Sequence, residues 1–279
     1  GGSETIIILD NDAVFASPQC VRRAVERLRS QPEIGALSFA VECFDRLDGV
    51  ATPDLSSWVY GARNAVEWWR KCFQERKFVG VGAALRRSAF EEVGGFDPGL
   101  FFLHEEEDLS ERLINRGFAI VYAGDIAIRH KVSPEHRSAW RGSRIFYHAR
   151  NRLYLDVKQG RKIAETLSDT TVILLAALRG GSLWSALRGT ASGLLRIRRA
   201  LAARRDQSFI ERTPEGAAYM QALAEDERKR GVAHALDQHR GLGRFMRRLK
   251  WETGFARRPR SAGRSRDAQP GNNRMREQT

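Results

Sequence analysis

A run of five residues near the start of the chain, residues 5–9 (TIIIL), restricts the possible folds more than any other segment. A continuous apolar run of this kind is typical of a central strand in a parallel sheet that is covered on both faces. Parallel neighbours need crossover connections, so the run predicts an α/β fold. Few strand–helix–strand units follow it. We therefore expect further units to precede residue 1, in a longer enzyme of which this chain is a C-terminal portion.

Two carboxylates follow this strand directly, in the triplet Asp10-Asn11-Asp12. A pair of carboxylates at the mouth of a buried strand suits a hard cation such as Mg²⁺ or Mn²⁺, which can in turn hold a phosphate. Asp and Asn are also common where a strand ends in an ordinary turn. Taken alone, the triplet is therefore compatible with either reading.

A second acidic group lies at residues 105–108 (EEED), before a helical pattern. Adjacent carboxylates repel one another, so they persist where a cation neutralises them or where one acts as a general base. Asp108 and Arg112 are four residues apart and are expected to pair, while Leu109 and Leu113 mark the buried helix face. An acidic first turn is also usual for a solvated helix, because it meets the positive end of the helix dipole.

The rest of the pattern predicts alternating short strands and helices up to about residue 130, and helices from residue 140 onward. The expected elements are a helix from residue 17 with Ser17 as N-cap, a strand at 34–44, a helix at 58–73, a strand or loop at 78–85, a helix at 88–93, and short strands at 118–122 and 126–129.

The order of these segments resembles that of family 2 inverting glycosyltransferases with the GT-A fold. The segments are LDND, then VGVGAALRRSAFEEVGGFDPGLFFLHEEEDLSERLINRGFAIVYAGDIAIRH. Within that family the chain is most similar to rhamnosyltransferase-like enzymes of bacterial cell-surface polysaccharide synthesis. The resemblance covers about residues 5–160 and lacks the N-terminal portion in which the family binds the nucleobase. It implies a nucleotide-sugar donor and a saccharide or polyprenyl-linked acceptor.

The resemblance also implies roles for individual residues. Asp10 and Asp12 match the family's metal-binding triplet, and His130, at the end of a short strand, occupies a position that often contacts the metal or the diphosphate. Mg²⁺ or Mn²⁺ is thus the expected cofactor. Glu106 matches the catalytic base. Glu105 stays an alternative base, because the preceding aromatic pair lies one residue closer to the acids than in the family.

Further residues are expected to line the donor or acceptor side of the site. Gly80 and Gly82 match a glycine-bearing loop through which a sugar can approach the backbone closely, although a tight strand crossing explains them equally well. Asp97 could reach acceptor hydroxyls. Asp108 and Arg112 complete the acidic motif.

Charge and composition suggest three regions: residues 1–140 as the catalytic portion, 141–256 as a helical, membrane-associated region, and 257–279 as a disordered basic tail. Residues 1–160 are electrically balanced, whereas residues 241–279 hold 11 Lys/Arg against three Asp/Glu. Such an arm is attracted to anionic lipid headgroups. Residues 144–158 read either as an interfacial helix with snorkelling arginines or as a plain amphipathic helix that closes the domain.

The three cysteines lie far apart without a CxxC pair, which argues against a zinc site or a disulfide framework and suits a reducing cytosol. We therefore expect a cytoplasmic protein, peripheral at the inner face of the cell membrane, and expect nucleic acid not to be its partner. Two alternatives stay open. The chain could be a catalytically incompetent binding or scaffold module, or the Arg-rich tail could bind RNA.

Overall fold

The structure is a computed structural model. It describes residues 2–44, 51–54, 57, 65, 67–131, 141–206 and 211–230. The predicted tail at 257–279, Trp58 and most of the helix expected at 58–73 lie outside the described residues. Across the described part of the chain, none of the helices has the length and apolar character needed to cross a membrane.

The described residues up to 131 form six strands and three helices, and five further helices follow in the described part of the chain. The strands are β1 (Thr5–Leu9), β2 (Ala13–Phe15), β3 (Ile34–Cys43), β4 (Cys72–Gln74), β5 (Gly82–Arg86) and β6 (Ala119–His130). The helices are α1 (Cys20–Ser30), α2 (Arg87–Glu92), α3 (Glu105–Asn115), α4 (Arg141–Lys158), α5 (Ile163–Arg179), α6 (Leu183–Leu195), α7 (Ile197–Arg205) and α8 (Pro214–Lys229).

The described strands form one mixed sheet in the order β1-β5-β3-β6-β2, with β4 also pairing with β6. Strands β3 and β6 are parallel to each other, while the other described pairs are antiparallel. The register places Ala13 opposite His130, and the backbone N–H of Lys131 donates to the Asp12 carbonyl at 2.9 Å. This pairing brings the end of β6 beside the turn that follows β1.

The predicted central position of β1 depends on strands that precede residue 1, so it stays a prediction. Within the described sheet β1 is an edge strand, and its neighbour β5 is antiparallel to it. The side chains of the apolar run are used on both faces: Ile7 and Leu9 pack against one core cluster, whereas Ile6 and Ile8 pack against another on the opposite face. The continuous apolar pattern therefore corresponds to a strand covered on both faces.

Two apolar layers enclose the sheet. On one face α1 contributes Ala24 and Leu28 to a core that includes Phe39 of β3. On the other face α3 contributes Leu109 and Leu113, both fully buried as the helical spacing predicts. The sheet thus fixes α3, and with it the acidic residues at its start.

Several element boundaries differ from the sequence expectation. Helix α1 begins at Cys20, because Ser17 first forms a turn in which its hydroxyl accepts from the backbone N–H of Gln19. The two short strands expected after residue 118 are one continuous strand, β6, which spans a register shift opposite β3. Phe73, expected in a helix, lies in β4.

Helix α4 connects the sheet to the helices that follow it. Its partner α6 crosses at close range, since a Cβ added at Gly189 would lie 2.3 Å from the Phe146 carbonyl oxygen. Gly193 faces the Arg150 carbonyl in the same way, at 3.0 Å. The small residues of α6 are therefore used to let two helix backbones approach each other.

Candidate active site

Three potential ligand side chains converge where the sheet ends. Asp10 follows β1, Asp12 precedes β2, and His130 is the last residue of β6. One ligand atom from each lies within 4.8 Å of the other two. Burial and the neighbouring charge of Asp12 raise the pKa of Asp10, and the charge of His130 offsets only part of this rise. Carboxylate and imidazole donors in this arrangement fit a divalent cation such as Mn²⁺.

His130 is oriented by a residue that the sequence did not single out. Its Nδ1 lies 2.9 Å from Oδ2 of Asp54, and Nε2 lies 3.4 Å from Oδ1 of Asp12. The Asp54 hydrogen bond raises the pKa of His130 despite partial burial. The Ser57 hydroxyl donates to the same Asp54 oxygen at 2.9 Å. A carboxylate behind a ligating histidine is the usual means of directing its other nitrogen at a metal.

The first two acids of α3 face this cluster. The charge of Glu106 contributes to the raised pKa of Asp10. Glu106 also rests on the Gly80 backbone, since a Cβ added at Gly80 would lie 2.5 Å from its Oε1 atom. The expectation that Gly80 belongs to the site is consistent with this contact. Gly82 instead packs inside the sheet, where an added Cβ would lie 2.4 Å from Ile128, so the tight strand crossing explains it.

Glu105 is electrostatically coupled to Glu106. Burial and the charge of Glu106 raise the pKa of Glu105 to about 7. Its Oε2 atom is buried and has no hydrogen-bond partner among the described residues. A carboxyl with a pKa near neutrality can take up or release a proton at physiological pH. The pair Glu105–Glu106 is therefore able to act in proton transfer.

The next two acids, by contrast, point into the protein and are neutralised there. Glu107 lies 2.9 Å from Nη1 of Arg152 and 2.8 Å from Nδ1 of His104. Burial opposes its ionisation, but the charge of Arg152 and the His104 hydrogen bond hold the pKa of Glu107 well below its ordinary value. The four consecutive acids thus divide into two that face the site and two that anchor the helix.

Asp108 belongs to a buried ion network. As the i,i+4 spacing predicts, it pairs with Arg112 at 2.7 Å. Lys158 bridges Asp108 and Asp97, with its Nζ atom 2.7 Å from each carboxylate. The Tyr154 hydroxyl also donates to Asp97 at 3.1 Å. Although burial acts to raise it, these bonds lower the pKa of Asp97.

The network contains three residues that were expected to line the donor or acceptor side. Asp97, Asp108 and Arg112 are all buried and form hydrogen bonds with protein groups. Arg112 donates to the carbonyls of Val93 and Gly95 as well as to Asp108. These side chains therefore position α3 and the turn before it, and their contact with donor or acceptor stays a prediction.

The segment before α3 has an unusual backbone. Phe102, Leu103 and His104 adopt φ values of 60°, 73° and 71°, a left-handed backbone conformation that residues other than glycine rarely adopt. The Asn151 amide holds this run by donating to the carbonyls of Phe102 at 2.9 Å and Leu103 at 2.8 Å. Asn151 itself is fully buried in α4.

A pair of histidines lies beside the same run. Nε2 of His104 is 2.9 Å from Nδ1 of His148, and the two rings are stacked. Because His104 also contacts Glu107, a chain of hydrogen bonds leads from α4 to the first turn of α3. Through His148 and His104, α4 thus makes a second contact with the acidic residues, at Glu107.

The interpretation of residues 144–158 as an interfacial helix with snorkelling arginines is wrong for three of its positively charged residues. Arg150, Arg152 and Lys158 are buried in the protein, where they contact α3 and the loop before it. Sequence reasoning missed Asn151, Arg152 and Lys158 as partners of the acidic motif. The signal was present in the balance of charges, since four adjacent acids require nearby cations and this segment supplies them.

Comparison with known protein families agrees with the resemblance noted in the sequence. Residues 5–188 match the family described as glycosyl transferase family group 2. The match covers well over half of the 279 residues. The chain belongs to this family, and its mixed α/β sheet is the GT-A fold that the resemblance implied. No protein of curated function matches the sequence.

Two solved structures are similar to the chain. One is a mannosyltransferase from Pyrobaculum calidifontis in complex with GDP-Man and Mn²⁺, with 20% identity, a TM-score of 0.39, and coverage of 77% of this chain and 61% of that one. The other is GalNAc-T7 with UDP, GalNAc and Mn²⁺, with 13% identity, a TM-score of 0.43, and coverage of 76% and 42%. The chain thus spans about two fifths to three fifths of these structures.

Proposed function

We propose that the chain carries out metal-dependent transfer of a sugar, of the hexosyl or rhamnosyl type, from a nucleoside-diphosphate sugar to a saccharide or polyprenyl-linked acceptor, with inversion. The observation that carries this proposal is the convergence of Asp10, Asp12 and His130 beside Glu106. Family membership supports transfer of a glycosyl group. The geometry adds a cation site and a carboxylate at one place.

Asp10, Asp12 and His130 are the residues that would hold Mg²⁺ or Mn²⁺. A cation bound there would neutralise the negative charge that develops on a departing diphosphate. Asp54 acts on this group indirectly, because its contact with Nδ1 of His130 leaves Nε2 directed toward Asp12. The chain contributes a fixed set of ligands and so lowers the cost of arranging them during the reaction.

Glu106 is proposed as the general base. It would take the proton of an acceptor hydroxyl while that oxygen forms a bond to the anomeric carbon. The bond from this carbon to the diphosphate breaks on the opposite face, so the configuration inverts in one step. The position of Glu106 over Gly80 and near Asp10 supports this assignment. Glu105 is the alternative base, because its raised pKa also suits proton transfer.

We further propose that the protein works at the cytoplasmic face of a membrane, as part of polysaccharide synthesis in the cell envelope. The basic segment 241–279 supports attraction to anionic lipid. That segment lies outside the described residues, so its contribution is tested by deletion. Deletion is expected to shift binding of anionic vesicles to higher lipid concentration, and strong RNA binding by the isolated tail would contradict this role.

The central experiment separates binding from turnover. Nucleoside diphosphates and Mn²⁺ are titrated onto the purified chain by calorimetry, and transfer is then measured with nucleotide-sugars and polyprenyl-linked acceptors. Metal-dependent nucleotide binding with product formation is expected. Binding without turnover would assign the chain to the binding or scaffold class. Full transfer in the presence of EDTA would contradict the metal-dependent mechanism.

A further inference from the structure

Helices α5 and α6 carry their large apolar residues on the outside. Such helices normally bury a stripe of large residues and expose polar ones. Here the buried positions of α6 are Ala186, Gly189 and Gly193. The exposed large positions are Trp184, Leu187, Leu194 and Leu195, on the opposite face of the helix.

Helix α5 also exposes large apolar residues, although one large apolar residue, Ile173, is buried together with Ala177. Ile163, Leu167, Leu175 and Leu178 are exposed and recur at helical spacing on the other side. The two helices contact each other and both contact α4, so their outer faces adjoin on the protein surface. We name this surface the α5–α6 face.

The exposure is large for residues of this type. Trp184 is 72% exposed and Leu195 is 87% exposed. Scattered surface leucines are common, but a contiguous apolar patch marks an interaction site. The question is therefore which partner covers it.

Charge selects among the partners. Residues 163–195 of α5 and α6 hold two Arg and two Asp/Glu, but α7, which contacts α6, raises the balance of residues 162–206 to eight Lys/Arg against three Asp/Glu. Arg179, Arg188 and, on α7, Arg198 are exposed. A second copy of the chain would bring a second set of these arginines, and thus like charge, against the first. The C-terminal residues 231–279 would do the same, because they carry 12 Lys/Arg against four Asp/Glu. Both occupants are disfavoured by repulsion.

An anionic lipid surface fits both properties of the face. Exposed Trp and Leu side chains can enter the boundary between headgroups and acyl chains, while arginines beside them contact the headgroups. None of the described helices is able to span a bilayer, so binding of this kind would be shallow. Nucleic acid offers charge complementarity but no apolar phase for these leucines.

We propose that the α5–α6 face is a membrane-docking surface, which inserts Trp184 and neighbouring leucines into the interface of a bilayer with anionic headgroups. This surface is distinct from the α4 segment and from the basic tail. The proposal does not rest on the sugar-transfer reaction, since it follows from exposed apolar area and charge alone. It also predicts a contribution to binding that salt does not abolish, because apolar insertion is not screened.

The test uses the full chain and vesicles of phosphatidylcholine with or without phosphatidylglycerol. The variant Trp184→Ser/Leu195→Ser removes the two most exposed large apolar side chains of α6. Its lipid concentration for half-maximal co-sedimentation should rise by about tenfold or more, since each lost insertion contributes to binding. The matched control is Val21→Ser on α1, an exposed valine outside the face, which should bind like the wild type.

Two further experiments test the contribution of the arginines and the depth of insertion of Trp184. Arg188→Gln/Arg198→Gln should weaken binding to phosphatidylglycerol vesicles, whereas the exposed control Arg22→Gln should not. Acyl chains brominated near the headgroup should quench fluorescence in the wild type more than in Trp184→Phe. Unchanged sedimentation of the serine variant would overturn the proposal. A wild-type dimer that the serine variant dissociates, without lipid binding, would overturn it in favour of a second copy.

Discussion

The Asn151 amide nitrogen lies 2.8 Å from the carbonyl oxygen of Leu103, and this contact links α4 to the left-handed backbone that precedes Glu105. Residues held in such a conformation cost about 1–3 kcal/mol each and persist only when their surroundings enforce it. The Asn151 side chain supplies that enforcement from a position 48 residues away in sequence.

Replacing Asn151 by Asp should therefore displace the start of α3. The carboxylate has nearly the same shape but cannot donate to the carbonyls, so kcat should fall by about 10²-fold through misplacement of the catalytic pair. Steady-state kinetics check this, with little change expected in KM for the donor. Adding Leu103→Gly to Asn151→Ala should recover part of the lost stability, because glycine adopts the left-handed conformation freely. If the free energy of unfolding does not recover, the Asn151 side chain does not enforce the left-handed backbone.

The two acids that face the cluster should respond differently to isosteric replacement. Glu106→Gln cannot accept a proton, so turnover should fall by about 10²–10⁴-fold while donor affinity changes little. Glu105→Gln should alter mainly the acidic limb of the pH–rate profile, since the pKa of Glu105 is about 7. Profiles of both variants check the assignment. If Glu105→Gln shows the larger loss at every pH, Glu105 is the base.

Metal binding should depend on both the ligands and the residue behind them. Asp12→Ala should abolish Mn²⁺ binding measured by calorimetry. Asp54→Asn should weaken it by about 10–100-fold, the usual effect of losing the partner of a ligating histidine. Asp125→Asn is the control, because that carboxylate pairs with Arg27 on the surface. Unaltered affinity in Asp12→Ala would exclude this site.

Lys158 should be critical for stability. It neutralises two buried carboxylates, so Lys158→Met should lower the free energy of unfolding by about 3–5 kcal/mol, the cost of leaving buried charges unpaired. Lys229→Met removes an exposed partner of Glu225 and should change the free energy of unfolding far less, because exposed ion pairs are screened by solvent. Denaturant unfolding of the two variants provides the comparison. Similar values would mean that the buried network contributes little.

Glu75 should make stability depend on pH. Burial raises the pKa of Glu75 to about 8, and the nearby Ser38 hydroxyl, Lys77 and Arg230 offset only part of this. The folded state thus binds a proton that the unfolded state releases near its ordinary value of 4.5. Stability should be complete below that value and fall as pH rises toward 8, by up to about 1.4 kcal/mol per pH unit.

The substitution Glu75→Gln should remove this fall, because glutamine keeps the shape without titrating. Urea unfolding at several pH values between 5 and 8 measures it, with the exposed Glu26→Gln as control. A parallel fall in both variants would show that other groups cause the pH dependence.

Residue patterns predicted the parts of the site that depend on local spacing. The pair Asp108–Arg112 and the buried Leu109 and Leu113 are confirmed, because helix periodicity is a local property. The placement of His130 near Asp10 and Asp12 was an expectation from the family pattern, and the structure brings the three together.

Other parts could not be predicted because they depend on contacts between distant segments. Nothing near Asp54 indicated that it would orient His130, 76 residues later. The antiparallel pairing of β1 with β5 was not predicted either, because an apolar run indicates covered faces and does not specify which strand lies beside it. Arg150 and Arg152 are buried, which the interpretation of residues 144–158 as an interfacial helix did not predict.

The double role of α4 limits where the chain can be cut. Its side chains neutralise Glu107 and Asp108 on one side, while its backbone receives the glycines of α6 on the other. An expression fragment that ends at residue 140 would keep the acidic motif but lose Arg152 and Lys158, which neutralise it. We expect such a fragment to be recovered as insoluble material. A junction for exchanging the C-terminal helices among relatives therefore belongs after α4, within the stretch that leads into α5.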